Sequence, residues 1–375
     1  IKAQVPDLYA AYKKAYPFAK ILFPTEKDFE AKNRKKLLSS IATNDWDCII
    51  LTHDQFAKIP QNPSAVEKIY KEFLDQLSDE ISMSSDRQDK KRLEARKYKY
   101  EQKLAKLGDI SKDRDILDFS QLGVDFLMVD ESHQFKNLEF TSRLRNVHGL
   151  GNQEGSKRAF NLLMAIRHLQ DVHKGDYGVA FFSGTPISNS ISELYLIQKY
   201  LTPSKLKERG IESFDQWASI FASIYSDLEY YLGQYKVVNR IREFKNLPEL
   251  ITMYREFADV RNDTNLVIDK PKGRHTLVKI QPSAQQLKYI EMLFHFVQSK
   301  GHDYRQELGL TSGYDSKTGK NNSAQLLAIN MAKKLSLDPR MISPALDSGT
   351  KVGEVARNVF DIYQKTNHFN GTQLI

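Results

Sequence analysis

The chain has one cysteine, Cys48, in 375 residues, which excludes an internal disulfide and any zinc site built on cysteines. Cys48 stands in the apolar run Cys48-Ile49-Ile50-Leu51 and reads as a small buried hydrophobe rather than a nucleophile. No apolar stretch reaches the ~18 residues of a membrane span, and the N-terminus lacks the design of a signal peptide. No membrane partner is expected, and a cytoplasmic location is. The histidines show no ligand spacing among themselves, so no structural metal is expected. Internal repeats and low-complexity tracts are missing too. So is Gly-x-x-x-x-Gly-Lys-[Ser/Thr], the loop that cradles phosphates with backbone N–H groups and a lysine. Gly151-Asn152-Gln153-Glu154-Gly155-Ser156-Lys157 comes nearest, but its spacing is wrong and it follows no strand. Ser156 reads better there as a helix N-cap.

What is present belongs to an ordinary globular chain, 41% hydrophobic and 27% charged, long enough for two or three domains. The net charge of +8 is compatible with a polyanionic partner without identifying one. Residues 7–16 suit a helix, Lys20-Ile21-Leu22-Phe23 a strand, Lys32 to Ala42 a helix, and Asp47 to Leu51 a strand. Further strands are expected at 126–129 and 179–182, with a helix from Ser156 to Gln170 between them. This alternation predicts an α/β chain with one doubly wound parallel sheet.

Residues 64–115 interrupt the rhythm. Asp86 to Lys106 is dense in charge, with Leu93, Tyr100, Leu104 and Leu107 at roughly helical spacing. A coiled-coil-like helical hairpin is expected, either a solvated arm or one whose Lys90, Lys91, Arg92, Arg96, Lys97 and Lys99 track a phosphate backbone. From Pro203 to about Asp347 the chain reads as mostly helical, interrupted by Pro271-Lys272 and a strand-like Thr276 to Ile280, with a polar loop from Gly309 to Asn322. The aromatic stretch Tyr225 to Tyr235 suits packing in a helical domain better than stacking on bases. A last helix is expected from Lys351 to Lys365, then the beginning of a strand.

Two segments carry chemistry. Phe126-Leu127-Met128-Val129 ends on the adjacent carboxylates Asp130 and Glu131, followed by Ser132-His133-Gln134-Phe135-Lys136-Asn137. Ligands of open α/β sheets sit beyond the carboxyl ends of strands, so the pair is delivered to a site mouth. One acid can hold Mg²⁺ and its neighbour can orient or deprotonate a water. Val179-Ala180-Phe181-Phe182 repeats the design and runs into Ser183-Gly184-Thr185-Pro186-Ile187-Ser188-Asn189-Ser190.

Together these resemble motifs II and III of superfamily 2 helicases and translocases, of the chromatin-remodeller-like (Swi/Snf) variety. That pattern reads Asp-Glu-x-His-x-x-Lys-Asn, then Gly-Thr-Pro-Ile-x-Asn. Weaker matches keep the family's order: Asp47 to Phe56 after motif Ia, Glu193 to Pro203 after motif III, and Phe257 to Arg261 with Gln285, Gln286 and Tyr289 in the linker. The resemblance implies a RecA-like lobe 1 over 1–202 (insertion 64–115), a mostly helical linker domain over 203–350, and the start of a second lobe over 351–375. It implies that Asp130 holds Mg²⁺, Glu131 is the general base, and His133 couples the nucleotide site to motif III through Ser183, Thr185 and Asn189. Thr52, His53 and Gln55 would meet the nucleic-acid backbone. Lys136 and Asn137 close a turn.

The expected function is that of a fragment of an ATP-dependent DNA helicase or translocase, with ATP and Mg²⁺ as cofactors of an intact parent. The phosphate loop and second-lobe arginines are missing, so the piece alone is expected to be inactive as an ATPase and to hold neither cofactor tightly. Both termini read as cuts within a longer polypeptide, of a kind often fused to an adenine-specific DNA methylase. No Asn/Asp-Pro-Pro-Tyr/Phe methylase tetrapeptide is present here. The competing reading is a non-catalytic DNA-binding or scaffolding module of a restriction-modification or methylase-associated protein. A restriction nuclease would need a motif that the chain does not contain.

Overall fold

The computed structural model describes residues 5–110, 116–144, 147–151, 153–188, 190–231, 234–261, 273–299, 301–310, 324–343, 346, 350–369, 371 and 373. The chain divides into two compact units, Ile1–Leu228 with Val237–Val260, and Glu229–Lys236 with Arg261–Ile375.

In the first unit α1 (Val5–Ala15) precedes β1 (Ile21–Leu22), and α2 (Ala31–Thr43) crosses over to β2 (Cys48–Ile49), which pairs in parallel with β1. Leu37, Leu38 and Ile41 are the buried face of α2. A short α3 (His53–Phe56) follows, then the long pair α4 (Pro63–Met83) and α5 (Arg87–Ile110). β3 (Leu127–Val129), β4 (Val147–His148), α6 (Lys157–His173), β5 (Val179–Phe181) and α7 (Ser192–Leu201) come next. The Ser156 hydroxyl caps α6 by accepting from the Ala159 N–H at 3.2 Å. α8 (Pro203–Glu208), α9 (Phe214–Phe221) and α10 (Leu247–Arg255) close the unit, together with β6 (Ala222–Tyr231) up to Leu228 and β7 (Gln234–Phe244) from Val237. Its core is aromatic where α7 meets α9: Tyr195, Phe214 and Trp217 are buried, with Phe140 and Phe214 ring centroids 4.9 Å apart.

The chain is mixed α/β with small parallel sheets. Among the described residues β1–β2 and β3–β5 are separate parallel pairs, and β4–β7–β6 form a third sheet. Strands of two or three residues supply few ladder hydrogen bonds, and apolar side chains stay uncovered around β3 and β5, Met128 (74% exposed), Phe126 and Phe182 among them.

The stretch after Pro203 departs from the helical expectation. β6 and β7 are joined by two residues, a connection that fits only antiparallel strands, and the Lys245 N–H donates to the Phe221 carbonyl at 2.9 Å across the base. Ile224, Tyr225, Tyr230, Tyr231, Val237, Val238 and Ile241 are β-branched or aromatic, which suits a pleated surface. Tyr225 therefore stands on β6 and Tyr235 on β7, not inside a helical domain, and residues 232 and 233 of that aromatic run lie outside the described residues. Thr276 to Ile280, read as a strand, pairs with no strand among the described residues. Pro271-Lys272 and most of the loop from Gly309 to Asn322 lie outside those residues.

The insertion is the helical hairpin expected, but packed rather than solvated. Val66, Ile69, Phe73 and Leu77 of α4 and Leu93 and Tyr100 of α5 are buried at heptad-like intervals. Tyr70 stacks on Phe160 of α6 with centroids 5.1 Å apart. Arg96 Nη2 donates to the carbonyls of Phe140 at 2.8 Å and Gln153 at 2.6 Å.

In the second unit α11 (Ala284–Gln298) packs on α12 (Ala324–Leu337) through Met292, Leu293, Phe296, Ala328 and Leu335. The buried Gln286 amide donates to the Leu335 carbonyl at 2.8 Å. α13 (Thr350–Thr366) covers the stretch expected as the last helix.

Candidate functional site

β3 and β5 run in register, with Leu127 opposite Val179 and Val129 opposite Phe181. The ladder continues past their ends: the Phe182 N–H donates to the Val129 carbonyl at 2.9 Å, and the Ser132 N–H to the Phe182 carbonyl at 3.0 Å. Both strands therefore deliver their following turns to the same place. Asp130 is exposed and Glu131 half-buried. Glu131 has φ +50°, a left-handed conformation that a residue with a Cβ adopts at a cost. Asp130 Oδ1 accepts the Glu131 N–H at 2.9 Å. A 3-10 turn, Ser132–Phe135, follows and is rooted by Phe135, which is 2% exposed. Behind it the buried Tyr200 hydroxyl lies 3.2 Å from the Phe135 carbonyl and 3.0 Å from that of Ala159.

His133 bridges the turns. Its Nδ1 is 3.1 Å from Ser183 Oγ and 3.1 Å from Glu131 Oε2. Ser183 Oγ also accepts the Thr185 N–H at 3.2 Å. One ring nitrogen thus faces a carboxylate of the first turn and a hydroxyl of the second, so a change in either alters the hydrogen bond to the other. Asn189 lies outside the described residues.

A second strut joins the same turns. Lys136 Nζ donates to Ser188 Oγ at 2.5 Å and is 3.2 Å from Glu193 Oε1. Glu193, 5% exposed, accepts the Ser188 N–H on Oε2 at 2.6 Å. Lys136 does more than close a turn, a role that only its partners, distant in sequence, reveal.

The third turn, after β2, is used differently. Thr52 caps α3 and forms a capping box with Gln55: Thr52 Oγ1 accepts from the Gln55 N–H, and Gln55 Oε1 accepts the Thr52 N–H at 2.8 Å. Gln55 is buried, and its Nε2 donates to the Pro24 carbonyl at 3.0 Å. His53 reaches the acid turn instead: Nε2 is 2.9 Å from the Asp130 carbonyl, Nδ1 is 3.4 Å from Gln134 Oε1, and the ring meets Phe135 edge-on at 4.7 Å. No local sequence pattern signals that contact.

The basic residues of α5 are not brought to either turn. Arg92 Nη2 donates to the Ser142 carbonyl at 2.7 Å, Arg96 to those of Phe140 and Gln153, and Lys97 Nζ to Ser78 Oγ at 3.0 Å. Lys91 is exposed and Lys90 half-buried. Near the C-terminal end of α7, burial and the neighbouring Arg167 push the pKa of the Lys199 ammonium down to about 8, and it rests 4.8 Å from the Phe73 ring centroid. Arg167 Nη2 donates to the Lys199 carbonyl at 2.9 Å and the Gln170 amide to that of Tyr200 at 3.0 Å, satisfying the end of α7.

Among the described residues no three His, Cys, Asp or Glu gather as a metal site. Asp130 and Glu131 are oxygen donors at an open position, a set that suits Mg²⁺ completed by water and phosphate oxygens. No helix among the described residues is long and apolar enough to cross a membrane. A family model described as a probable helicase domain matches residues 1–262, well over half of the chain. No curated protein and no solved structure matches.

Proposed function

The chain belongs to the family of probable helicase domains, and from that premise we propose that it is part of an ATP-dependent DNA helicase or translocase of the superfamily 2, Swi/Snf-like type. The observation that carries the reading is the parallel β3–β5 pair, which sets the Asp130-Glu131 turn beside the Ser183-Gly184-Thr185 turn with His133 between them. In this reading Asp130 holds Mg²⁺ and Glu131 orients or deprotonates the lytic water. When bound, the ion neutralises phosphate charge. His133, Ser183, Thr185 and Asn189 couple the nucleotide site to DNA. Thr52, His53 and Gln55 lie at the backbone-contact end of the lobe, with Arg92 and Arg96 on its helical insertion; Lys90, Lys91 and Lys97 of the same helix have no part in the contact.

The same reading makes residues 1–202 a RecA-like lobe, 203–350 a linker domain and 351–375 the start of a second lobe. It places the protein in the cytoplasm, with a longer polypeptide that carries a phosphate loop, and in one version a methylase, as partner. The chain contains no Gly-x-x-x-x-Gly-Lys-[Ser/Thr] sequence, so alone it binds ATP weakly and does not turn it over.

An ATPase assay tests this. The chain alone is expected to show no hydrolysis with or without DNA. A polypeptide joining it to a phosphate loop and a second lobe is expected to show DNA-stimulated turnover, abolished by Glu131→Gln with nucleotide binding kept. Turnover by the chain alone that Glu131→Gln abolishes would overturn its dependence on other segments. Unstimulated, inactive polypeptide that still binds DNA would favour the non-catalytic module.

A further inference from the structure

Seven basic residues of α5, from Lys90 to Lys103, fall into two sets, and only one of them faces a groove. Arg92, Arg96, Lys99 and Lys103 are spaced by four, three and four residues, which puts them on one face of the helix. At 1.5 Å per residue this stripe is about 16 Å long. Lys90, Lys91 and Lys97 lie off it, and Lys97 is turned to Ser78 of α4. Opposite the stripe run Glu139, Ser142, Gln153 and Glu154, and the groove between has a volume of about 530 Å³.

We propose that this groove, between α5 on one side and Glu139, Ser142, Gln153 and Glu154 on the other, binds the phosphodiester backbone of DNA. The inference rests on the helicase reading for the identity of the polyanion, and on the groove itself for its place. Arg96 and Lys103 share Glu139 at 3.6 and 3.8 Å, Lys99 lies 4.0 Å from Glu154 and Arg92 3.6 Å from Asp89, so four cations meet three carboxylates and the groove keeps a net positive charge. Arg92 and Arg96 are oriented by donating to the carbonyls of Ser142, Phe140 and Gln153, and each guanidinium has further N–H donors. Lys103 is held at the rim over the Tyr70 and Tyr100 rings, 5.5 and 5.0 Å from their centroids. Lys99 is 72% exposed, and its 4.0 Å pair with the exposed Glu154 is the kind that a phosphate displaces at little cost. Guanidiniums and a Lys103 ammonium held in place, with a loosely paired Lys99 beside them, make a site that reads charge and spacing rather than base sequence.

Fluorescence anisotropy of the full chain with a labelled duplex, and with a labelled single strand, tests the groove across a salt series. Lys99→Glu with Lys103→Glu is expected to weaken binding about tenfold or more at low salt and to reduce the log–log salt slope by about 1.8 on the duplex and about 1.4 on the single strand. Lys99→Glu alone, at an exposed position that leaves folding intact, should reduce the slope by about 0.9. Glu154→Lys should tighten binding, and Lys90→Glu with Lys91→Glu should change it less than about twofold. Unchanged affinity and slope for both groove variants, with a wild-type chain that binds, would remove the groove. A wild-type chain that binds neither probe would instead remove the DNA reading on which it rests.

Discussion

β2 and β3 are both short parallel strands ending in a polar turn, yet the turns use their polarity in opposite ways. After β2, Thr52 and Gln55 satisfy each other and the Pro24 carbonyl, and Gln55 is buried. After β3, Asp130 stays exposed, Glu131 holds a left-handed backbone, and the turn is steadied from outside by His53, Tyr200 and Lys136. One turn is its own scaffold. The other is an outward-facing pair of carboxylates on borrowed supports, the arrangement in which strain and exposure accompany chemistry. Stability measurements can break that distinction, because scaffold residues destabilise when removed and outward-facing ones do not.

The largest effect is expected at the struts. Lys136→Met takes an ammonium away from Glu193, a carboxylate 5% exposed, and should cost about 3 kcal/mol in denaturant unfolding, since losing one partner of a buried pair costs more than the pair contributes. A loss under about 1 kcal/mol would mean the two turns are not held by this strut.

Next is the self-satisfied turn. Gln55→Ala removes a buried amide bonded to the Thr52 N–H and the Pro24 carbonyl, and should cost about 2 kcal/mol. A neutral result would show that the turn after β2 is no more a scaffold than the one after β3.

Lys199, near the end of α7, is a buried charge whose removal is expected to stabilise rather than destabilise. Its folded pKa of about 8 lies below the ordinary 10.5, so folding favours the neutral amine. Between these values the unfolded chain holds more protons, and stability rises as pH rises through the window. Lys199→Met should therefore stabilise the chain near neutral pH by about 1–2 kcal/mol and flatten that rise. Destabilisation instead would mean that the ammonium's attraction to the Phe73 ring outweighs the cost of burying its charge.

These supports differ in how far a sequence exposes them. The short runs Phe126 to Val129 and Val179 to Phe182 are too brief for helices and end on polar residues, so parallel strands opening on neighbouring turns are legible. The supports are not, because they join residues distant in the chain: His53 meets Asp130 across 77 positions and Arg96 meets Gln153 across 57. The charge-dense α5 resembles a solvated arm for the same reason, since its carbonyl partners leave no pattern within the helix. The β6–β7 hairpin is hidden by its helical surroundings, although its tyrosines and valines carry a β preference of their own.

The smallest effects are expected at the carboxylates themselves. Asp130→Asn keeps the oxygen that accepts the Glu131 N–H and alters an exposed side chain, so stability should stay within about 0.5 kcal/mol. Glu131→Gly loses the contact with His133 Nδ1 but relieves a left-handed residue, and these two effects oppose each other. The net change should lie between nothing and a gain of about 1 kcal/mol, read from the denaturant midpoint at constant slope. A loss above about 2 kcal/mol at either position would place the carboxylates among the scaffold residues, alongside Gln55. Stability unchanged or raised on replacing Glu131 would leave the ligand proposed for this turn, rather than the fold, as the reason for a left-handed residue at the mouth of two strands.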